Sequence, residues 1–274
     1  MQPQNGNDMI NAMEPGKFSH GAAAETSEST SLQAASDPAR TGGLHAQVVE
    51  LLGLAFSSGE LNGGSTLRIE ELEERCQVSR SVVREALRVL ASMGMVTSRR
   101  RIGVSVLPSS EWNLYDPQII RWRLASAGRI AQLRSLYELR AAIEPEAAKL
   151  AALRAPLSDA SDLMGLAGKL WAAGRDGDTG LFLDLDIQFH RLVLSSSGNE
   201  MFGRLHTLVA EVLTGRTNYG LMPEHPHEEA LQMHVDVASA IQRGDPVQAR
   251  DAMLRITDRA VREMQSLWTR NPNA

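Results

Sequence analysis

Cysteine, aromatic residues and long apolar runs are scarce in this chain of 274 residues. The single cysteine, Cys76, excludes an internal disulfide framework and a zinc site built from several cysteines. No run approaches the about 18 consecutive apolar residues that a membrane-spanning helix needs. The N-terminus lacks a basic segment followed by an apolar one, so we expect no secretory signal. These absences together lead us to expect a cytoplasmic protein with no membrane partner.

An excess of positive charge is also lacking. Lysine and arginine total 28 against 33 aspartates and glutamates, which gives a net charge of −5. Binding of nucleic acid through bulk positive charge is therefore excluded, and any such site has to be a local patch. Hydrophobic residues make up 43% and aromatic residues only 4%, with plentiful Ala, Leu, Arg and Glu, which favours helices over sheets.

The composition divides the chain into three parts. Residues 1–40 have hardly any large apolar residues, so we expect a disordered tail. Residues 41–107 show mixed helix and strand patterns, and we interpret them as a DNA-binding domain. After Pro108 only helical periodicity appears, with six or seven helices in residues 108–270. The predicted fold class is mainly α: an N-terminal winged helix-turn-helix and a C-terminal all-α helical bundle.

The order of the predicted helices and strands in residues 44–106 indicates a winged helix-turn-helix. A helix starts near Leu44, a short helix follows at about 68–76, and a third runs over about 80–93 with Ser79 as its N-cap. Residues 96–98 and 104–106 alternate like two short strands, with an arginine-rich hairpin tip between them. Two helices, a tight turn and a two-stranded wing are the parts of this DNA-binding motif.

The helix over 80–93 carries a basic stripe. Arg80, Arg84 and Arg88 are four residues apart and lie opposite an apolar stripe. From Arg75 to Val106 there are seven arginines and one glutamate, a local net charge of +6 in an acidic protein. A solvated helix face is the usual meaning of such a stripe. The surrounding motif favours DNA instead, because arginine binds guanine or phosphate in a major groove.

Residues 64–106, and above all SRSVVREAL at 79–87, resemble the DNA-binding domain of GntR-family transcription regulators. The resemblance implies that Arg80 and Arg84 contact DNA and that the wing, at Arg100, enters the minor groove. Glu70 stands where a member of the family has a DNA-contacting arginine, although Arg68 is nearby. The DNA-binding residues expected from the stripe and the resemblance together are Arg68, Ser79, Arg80, Ser81, Arg84, Arg88, Arg100 and Arg101.

Ionisable residues interrupt apolar helical stripes in the C-terminal part. Asp186 and His190 are spaced i, i+4 within one stripe, and His234 and Arg140 lie in two others. Buried charges are costly unless they are paired or bound to something. Each has an ordinary structural explanation, for example a core hydrogen bond or an Arg140–Glu144 pair on one helix face. As a set they predict a polar cavity inside the bundle.

Two motifs, DIQFH at 186–190 and HVDVASAIQRGD at 234–245, resemble the FCD sensor domain of the FadR subfamily of GntR regulators. Many such domains bind a divalent metal through one Asp and three His. The resemblance implies Asp186, His190 and His234 as ligands of zinc, nickel or manganese, but the position of the last His is Ile256. Three ligands and water could still hold a metal less tightly. His225 and His227 could substitute, although their Pro-flanked loop favours a solvated role.

Segments EWNLYDP at 111–117 and ELRAAIEP at 138–145 are similar to those of family members that respond to sugar acids. The resemblance implies a homodimeric repressor of a double-stranded DNA operator, controlled by a small carboxylate effector. Two alternatives stay open at this point: a metal-responsive regulator and a helical metalloenzyme, the latter without a nucleophile or general-base motif. The expected effector-binding residues are Arg140, Asp186, His190, His234 and further Arg216, Thr217 and Asn218.

Overall fold

A computed structural model describes residues 43–99, 103–221 and 227–270 of the chain. The predicted tail at 1–40 and the wing-tip residues Arg100 and Arg101 lie outside these ranges, as does His225. The mainly helical fold class is confirmed, with a winged helix-turn-helix followed by a helical domain. Within the described residues, no helix is both long and apolar enough to span a membrane.

The winged helix-turn-helix has three helices and a small antiparallel sheet. Its two wing strands pair in register from Val96 with Val106 to Arg99 with Gly103. A further strand of two residues, Thr66–Leu67, pairs with the second wing strand and completes a three-stranded sheet, whereas only two strands were predicted from the sequence. The elements are α1 (Leu44–Ser57), β1 (Thr66–Leu67), α2 (Ile69–Cys76), α3 (Arg80–Ser92), β2 (Val96–Arg99) and β3 (Gly103–Val106).

Helix α3 forms because one of its faces is apolar along its whole length. Val83, Ala86 and Leu90 are fully buried against α1, α2 and the sheet. Ser79 occupies the N-cap position of α3, as predicted. Its backbone is extended there, but its hydroxyl makes no hydrogen bond to a helix N–H. It lies 3.0 Å from the hydroxyl of Ser81 instead. The turn before α3 places Gln77 at φ 52°, a left-handed conformation that ends α2.

Helix α4 (Pro117–Leu124) contacts both the winged helix and the sensor helices. Asp116 caps its first turn by accepting a hydrogen bond from the backbone N–H of Gln118. The ring of Trp122 packs directly on Gly53 of α1, where an added Cβ would lie 2.5 Å from the ring. The position of the domain boundary near 107 stays a prediction.

The C-terminal region consists of packed helices without strands among its described residues. Most of their buried apolar residues form one large core, in which Phe189 and Val193 of α7 are fully buried. The longest helix, α5, continues through Pro145. The helices are α5 (Arg129–Arg154), α6 (Leu157–Asp176), α7 (Thr179–Ser196), α8 (Glu200–Arg204), α9 (His206–Asn218), α10 (Glu228–Gln242) and α11 (Pro246–Arg270).

Candidate DNA interface and ligand cavity

The basic stripe of α3 is exposed. Arg80, Arg84 and Arg88 all lie on the solvent side, while the opposite face is buried. Arg80 Nη1 lies 3.0 Å from Glu70 Oε1 on α2, and Arg88 pairs with Glu85 on its own helix. These are surface ion pairs of small stabilising effect, so DNA phosphates can compete for the arginines. The face is therefore available for a nucleic-acid groove.

Three further residues predicted to contact DNA are also exposed. Ser79 and Ser81 begin α3, and Arg68 is the N-cap of α2. The N-terminus of a helix favours anions, because its backbone N–H groups and its dipole point outward. Glu70, where the family resemblance implies a departure, is exposed beside Arg80. The six described residues of the predicted DNA-binding set are thus all exposed, and their contacts with DNA stay a prediction.

A cavity of about 60 Å³ lies between helices of the C-terminal domain. Space of this size holds about four water molecules. Residues from α5, α7, α9, α10 and α11 line it, which explains how side chains distant in sequence meet. Five of the predicted effector residues are among them: Arg140, Asp186, His190, Arg216 and His234.

Asp186 and two histidines converge at the cavity wall. Asp186 Oδ1 lies 3.3 Å from Nε2 of His190 and 3.2 Å from Nε2 of His234. Nδ1 of His234 donates a hydrogen bond of 2.9 Å to the carbonyl of Ala230, one turn earlier on α10. A neutral His234 with its proton on Nδ1 aims the Nε2 lone pair at the carboxylate oxygen. This arrangement is unfavourable unless a cation, either a proton or a metal ion, lies among the three groups.

The same three residues have the chemistry of a metal site. One ligand atom from each of Asp186, His190 and His234 can be chosen so that all lie within 4.8 Å of one another. The carbonyl of Ala230 accepts a hydrogen bond from Nδ1 of His234. Oε2 of Glu144 lies 2.7 Å from Nδ1 of His190, an ion-pair contact without the angle of a hydrogen bond. Partners of this kind fix the tautomer of metal-binding histidines. The residues present therefore fit a divalent cation with nitrogen and oxygen ligands.

A second charged group, formed by Arg140 and Glu144 of α5, is buried behind the histidines. Arg140 Nε donates to Glu144 Oε1 at 2.6 Å, and Nη2 donates to Oε2 at 3.2 Å. Both residues are almost completely buried, at 2% and 0% exposure. Nη2 of Arg140 also lies 3.4 Å from Nε2 of His190. Together with Asp186 and His234, these side chains form one connected cluster of five ionisable groups at the cavity.

The charges of this cluster stabilise one another. Burial by itself would raise the pKa of Glu144, but Arg140 and His190 outweigh it and lower the pKa to about 2. Burial would lower the pKa of His190, but Glu144 and Asp186 outweigh it and raise the pKa to about 9. Hydrogen bonds from both histidines likewise hold the pKa of Asp186 well below its usual range, against the effect of burial. In the absence of a metal, His190 is therefore protonated at neutral pH.

Two of the predicted effector residues do not reach the cavity. Thr217 is half-buried and its hydroxyl donates to the carbonyl of Leu213, while Asn218 is exposed. Each residue of an α-helix is rotated by about 100° from the one before it, so the neighbours of Arg216 face away from the space that Arg216 lines. Thr217 and Asn218 are thus not among the described residues that line this cavity, and their role in effector binding stays a prediction.

Two charged residues that were not predicted from the sequence also line the cavity. Arg259 and Glu263 of α11 line it, with Arg259 Nε donating to Glu263 Oε1 at 2.9 Å. Glu263 also pairs with Arg216, so an ion-pair chain runs along this side of the cavity. In the sequence these two residues are an ordinary i, i+4 pair, which indicates a solvated face. Ile256, where the last metal-binding histidine was expected, lines the cavity, as does His227.

Comparisons with known proteins agree with the fold. Residues 44–106 match the model for bacterial regulatory proteins of the gntR family, and residues 135–259 match the FCD domain. A solved structure of Lar, which controls expression of the Listeria monocytogenes agr system, is 17% identical. The alignment covers 83% of this chain and 99% of Lar, with a TM-score of 0.51. At this identity the likeness shows the fold alone.

Two relatives are transcriptional repressors. The galactonate operon transcriptional repressor of Escherichia coli (strain K12) is 28% identical over 225 residues, which are 81% of this chain and 96% of the repressor. A probable D-xylose utilization operon transcriptional repressor of Paenarthrobacter nicotinovorans is 26% identical over 208 residues, 76% of this chain and 82% of the relative. The family and these relatives regulate transcription, so the chain is a regulator and not an enzyme. It belongs to the GntR family of bacterial regulatory proteins and carries an FCD domain behind its winged helix-turn-helix.

Proposed function

We propose that the protein is a repressor whose affinity for its operator is controlled by a sugar acid bound in the cavity of the FCD domain. One observation carries the proposal: a connected cluster of buried charges lines a cavity in a domain with no catalytic role. Arg140, Glu144, Asp186 and His190 are all at least nine-tenths buried. Such a cluster is costly to bury in a merely structural core, so it favours recognition of a charged ligand.

The proposed class of effector is consistent with the charges of the cavity. Glu144 accepts from Nε and Nη2 of Arg140, which leaves the donors of Nη1 for a carboxylate. Arg216 supplies a second cation on the opposite helix α9. Asp186 and the two histidines supply hydrogen-bonding groups for hydroxyls. The relatives that act on galactonate and D-xylose operons support a sugar-derived effector.

The ion pair between Arg216 of α9 and Glu263 of α11 suggests how the effector acts. Both side chains line the cavity, so a carboxylate that binds Arg216 competes with Glu263 for it. A ligand shifts a conformational equilibrium only through different affinity for the two states. We expect the effector to favour the state in which this ion pair is open.

A divalent metal is the second proposed component of this site. Asp186, His190 and His234 would hold it, with Ile256 in place of a fourth protein ligand. When bound, the cation would supply positive charge for the carboxylate and hydroxyls of the effector. Its affinity should be moderate, because three protein ligands bind less tightly than four. Zinc, nickel and manganese are the metals that the family resemblance implies, and nitrogen and oxygen ligands are compatible with each of them.

On the DNA side, we propose that the protein acts as a homodimer on a two-fold symmetric operator. Arg80, Arg84 and Arg88 would enter a major groove with α3, while Arg68, Ser79 and Ser81 position the helix on the phosphates. The wing residues Arg100 and Arg101 belong to the same proposal. Light scattering of the pure protein tests the dimer, since a monomer that still binds a two-fold site specifically would contradict it.

A thermal-shift screen against a panel of sugar acids tests the effector proposal, with neutral sugars of the same carbon number as controls. We expect at least one acid to raise the melting temperature and its neutral counterpart to have no effect. The shift should disappear in Asp186→Ala and persist in Arg134→Ala, an exposed site on α5. A panel without any stabilising acid, or a shift that survives in Asp186→Ala, contradicts the proposal.

A metal-responsive regulator is the second candidate, and the convergence of Asp186, His190 and His234 is the observation that favours it. The two candidates differ in what releases the DNA. Metal alone should change DNA affinity if the ion is the signal. If the sugar acid is the signal, the metal should change only the affinity for the acid. Mobility shifts with metal, with acid and with both separate these cases.

A further inference from the structure

Arg123 of α4 is a half-buried cation without a counter-ion. Among the described residues its guanidinium makes no hydrogen bond or ion pair, whereas Arg121 on the same helix pairs with Glu211 at 2.5 Å. Burial lowers the pKa of Arg123, and no carboxylate opposes that shift. An arginine stays protonated in proteins, so the charge persists where water is partly excluded.

The guanidinium lies in a cleft of about 440 Å³ at the joint between the winged helix and α4. The end of α1 and the loop after it form one wall, with Ser57 and Asn62. The turn after β3, with Ser109, forms a second wall. The third wall consists of α4 and the residues that lead into α5. None of the described residues that line the cleft is acidic. It shares no lining residue with the effector cavity.

A second polar group in the cleft also lacks a partner. The hydroxyl oxygen of Ser57 is buried and makes no hydrogen bond to any residue in the described part of the chain. Two other serines of the cleft differ in this respect: Ser58 donates to the carbonyl of Ala55, and Ser126 donates to that of Arg123. A buried hydroxyl without a partner costs about 1–3 kcal/mol. An uncompensated cation and an unpaired hydroxyl in one cleft are matched by the same ligand, an oxyanion.

We propose that this cleft is a second anion site, which binds a small phosphate or carboxylate between the end of α1 and helix α4. Arg123 would hold two oxygens through its planar fork, the geometry that suits both anions. The hydroxyl of Ser57 would donate to the anion after a rotation about its Cα–Cβ bond, since it is buried in the present arrangement, and Asn62 and Ser109 also line the cleft with polar groups. Because its walls come from α1 and α4, occupancy links the DNA-binding domain to the helix that leads to the sensor. The site is independent of the effector cavity proposed above.

Calorimetric titration of the full-length protein, without DNA, tests the site with two probes at constant ionic strength: inorganic phosphate and acetate. The variants are Arg123→Gln, Arg123→Lys and the matched control Arg121→Gln, which removes the same charge two residues away. Loss of a charged hydrogen-bond donor corresponds to a roughly ten- to hundredfold weaker Kd. We expect that loss in Arg123→Gln, a partial loss in Arg123→Lys, and unchanged binding in Arg121→Gln.

The two probes separate the sources of the anion. Binding of phosphate that depends on Arg123 identifies a phosphate-bearing ligand, and the same dependence with acetate identifies a free carboxylate. A His234→Gln variant tests independence from the effector cavity, since it should leave binding in the cleft unchanged. The proposal is overturned if neither anion binds, or if Arg123→Gln binds both as well as the wild type does.

Discussion

Replacing the buried Arg140 with methionine should destabilise the protein far more than the same replacement of an exposed arginine. Methionine retains an unbranched apolar chain but leaves the carboxylate of Glu144, at 0% exposure, without its main partner. Breaking a buried ion pair in this way costs about 3–5 kcal/mol. We expect the lower end, about 3 kcal/mol, because His190 Nδ1 still lies 2.7 Å from the carboxylate. The melting temperature should fall by roughly 10 °C.

The assay is urea unfolding followed by circular dichroism, with a chelator present so that bound metal contributes nothing. The control is Arg134→Met on the same helix, whose pair with Glu138 is also spaced i, i+4 but is 63% and 60% exposed. That change should cost only about 0.3–0.5 kcal/mol. The double variant Arg140→Met/Glu144→Met lacks both charges, so most of the free energy of unfolding that Arg140→Met loses should be recovered.

The effect of Arg140→Met depends on pH with a definite sign. The pKa of Glu144 is lowered to about 2, so the pair stabilises the wild type fully above the ordinary value of 4.5. The difference between wild type and variant should shrink as the pH falls from 4.5 towards 2. A variant that loses less than about 1 kcal/mol at pH 7, or a difference that does not change with acid, would refute the buried pair.

Three further changes test other parts of the account. Arg84→Ala should weaken operator binding by roughly 1–3 kcal/mol without changing unfolding, and unaltered mobility shifts would remove α3 from the interface. Ile256→His should raise the affinity for zinc, measured by competition with a chelator, and no gain would mean that the other ligands are not arranged for metal. Gly53→Ala should destabilise by about 1–3 kcal/mol, because its Cβ would lie 2.5 Å from the Trp122 ring. A melting temperature equal to the wild type would show that α1 and α4 do not pack this closely.

The sequence predicts local features of the site well, because they depend on helical periodicity. Asp186 and His190 had to share a face at i, i+4, and the stripe of Arg80 and Arg84 had to lie opposite an apolar face. The buried Arg140–Glu144 contact follows from the same spacing. What periodicity could not establish is how the helices pack together.

The remaining features depend on tertiary structure. Arg259 lines the cavity because α11 packs beside α10 and α5. In the sequence alone, its spacing i, i+4 from Glu263 indicates an ion pair on a solvated helix face. The resemblance implies both Arg216 and Thr217 as effector-binding residues, but only Arg216 lines the cavity, and the Thr217 hydroxyl donates to the carbonyl of Leu213 instead. The strand β1 has two residues, too few for any alternation to be recognised.

The most direct test of the central claim is release of DNA by a sugar acid. An operator selected from random DNA by the protein itself is labelled, and binding is followed by fluorescence anisotropy as each acid of the panel is added. We expect one acid to weaken DNA binding of the wild type at least about tenfold, within the usual range of allosteric coupling. His234→Ala should bind the same DNA with unchanged affinity and lose the response to the acid. If the acid releases DNA from His234→Ala at the same concentration, the effector does not act through this cavity.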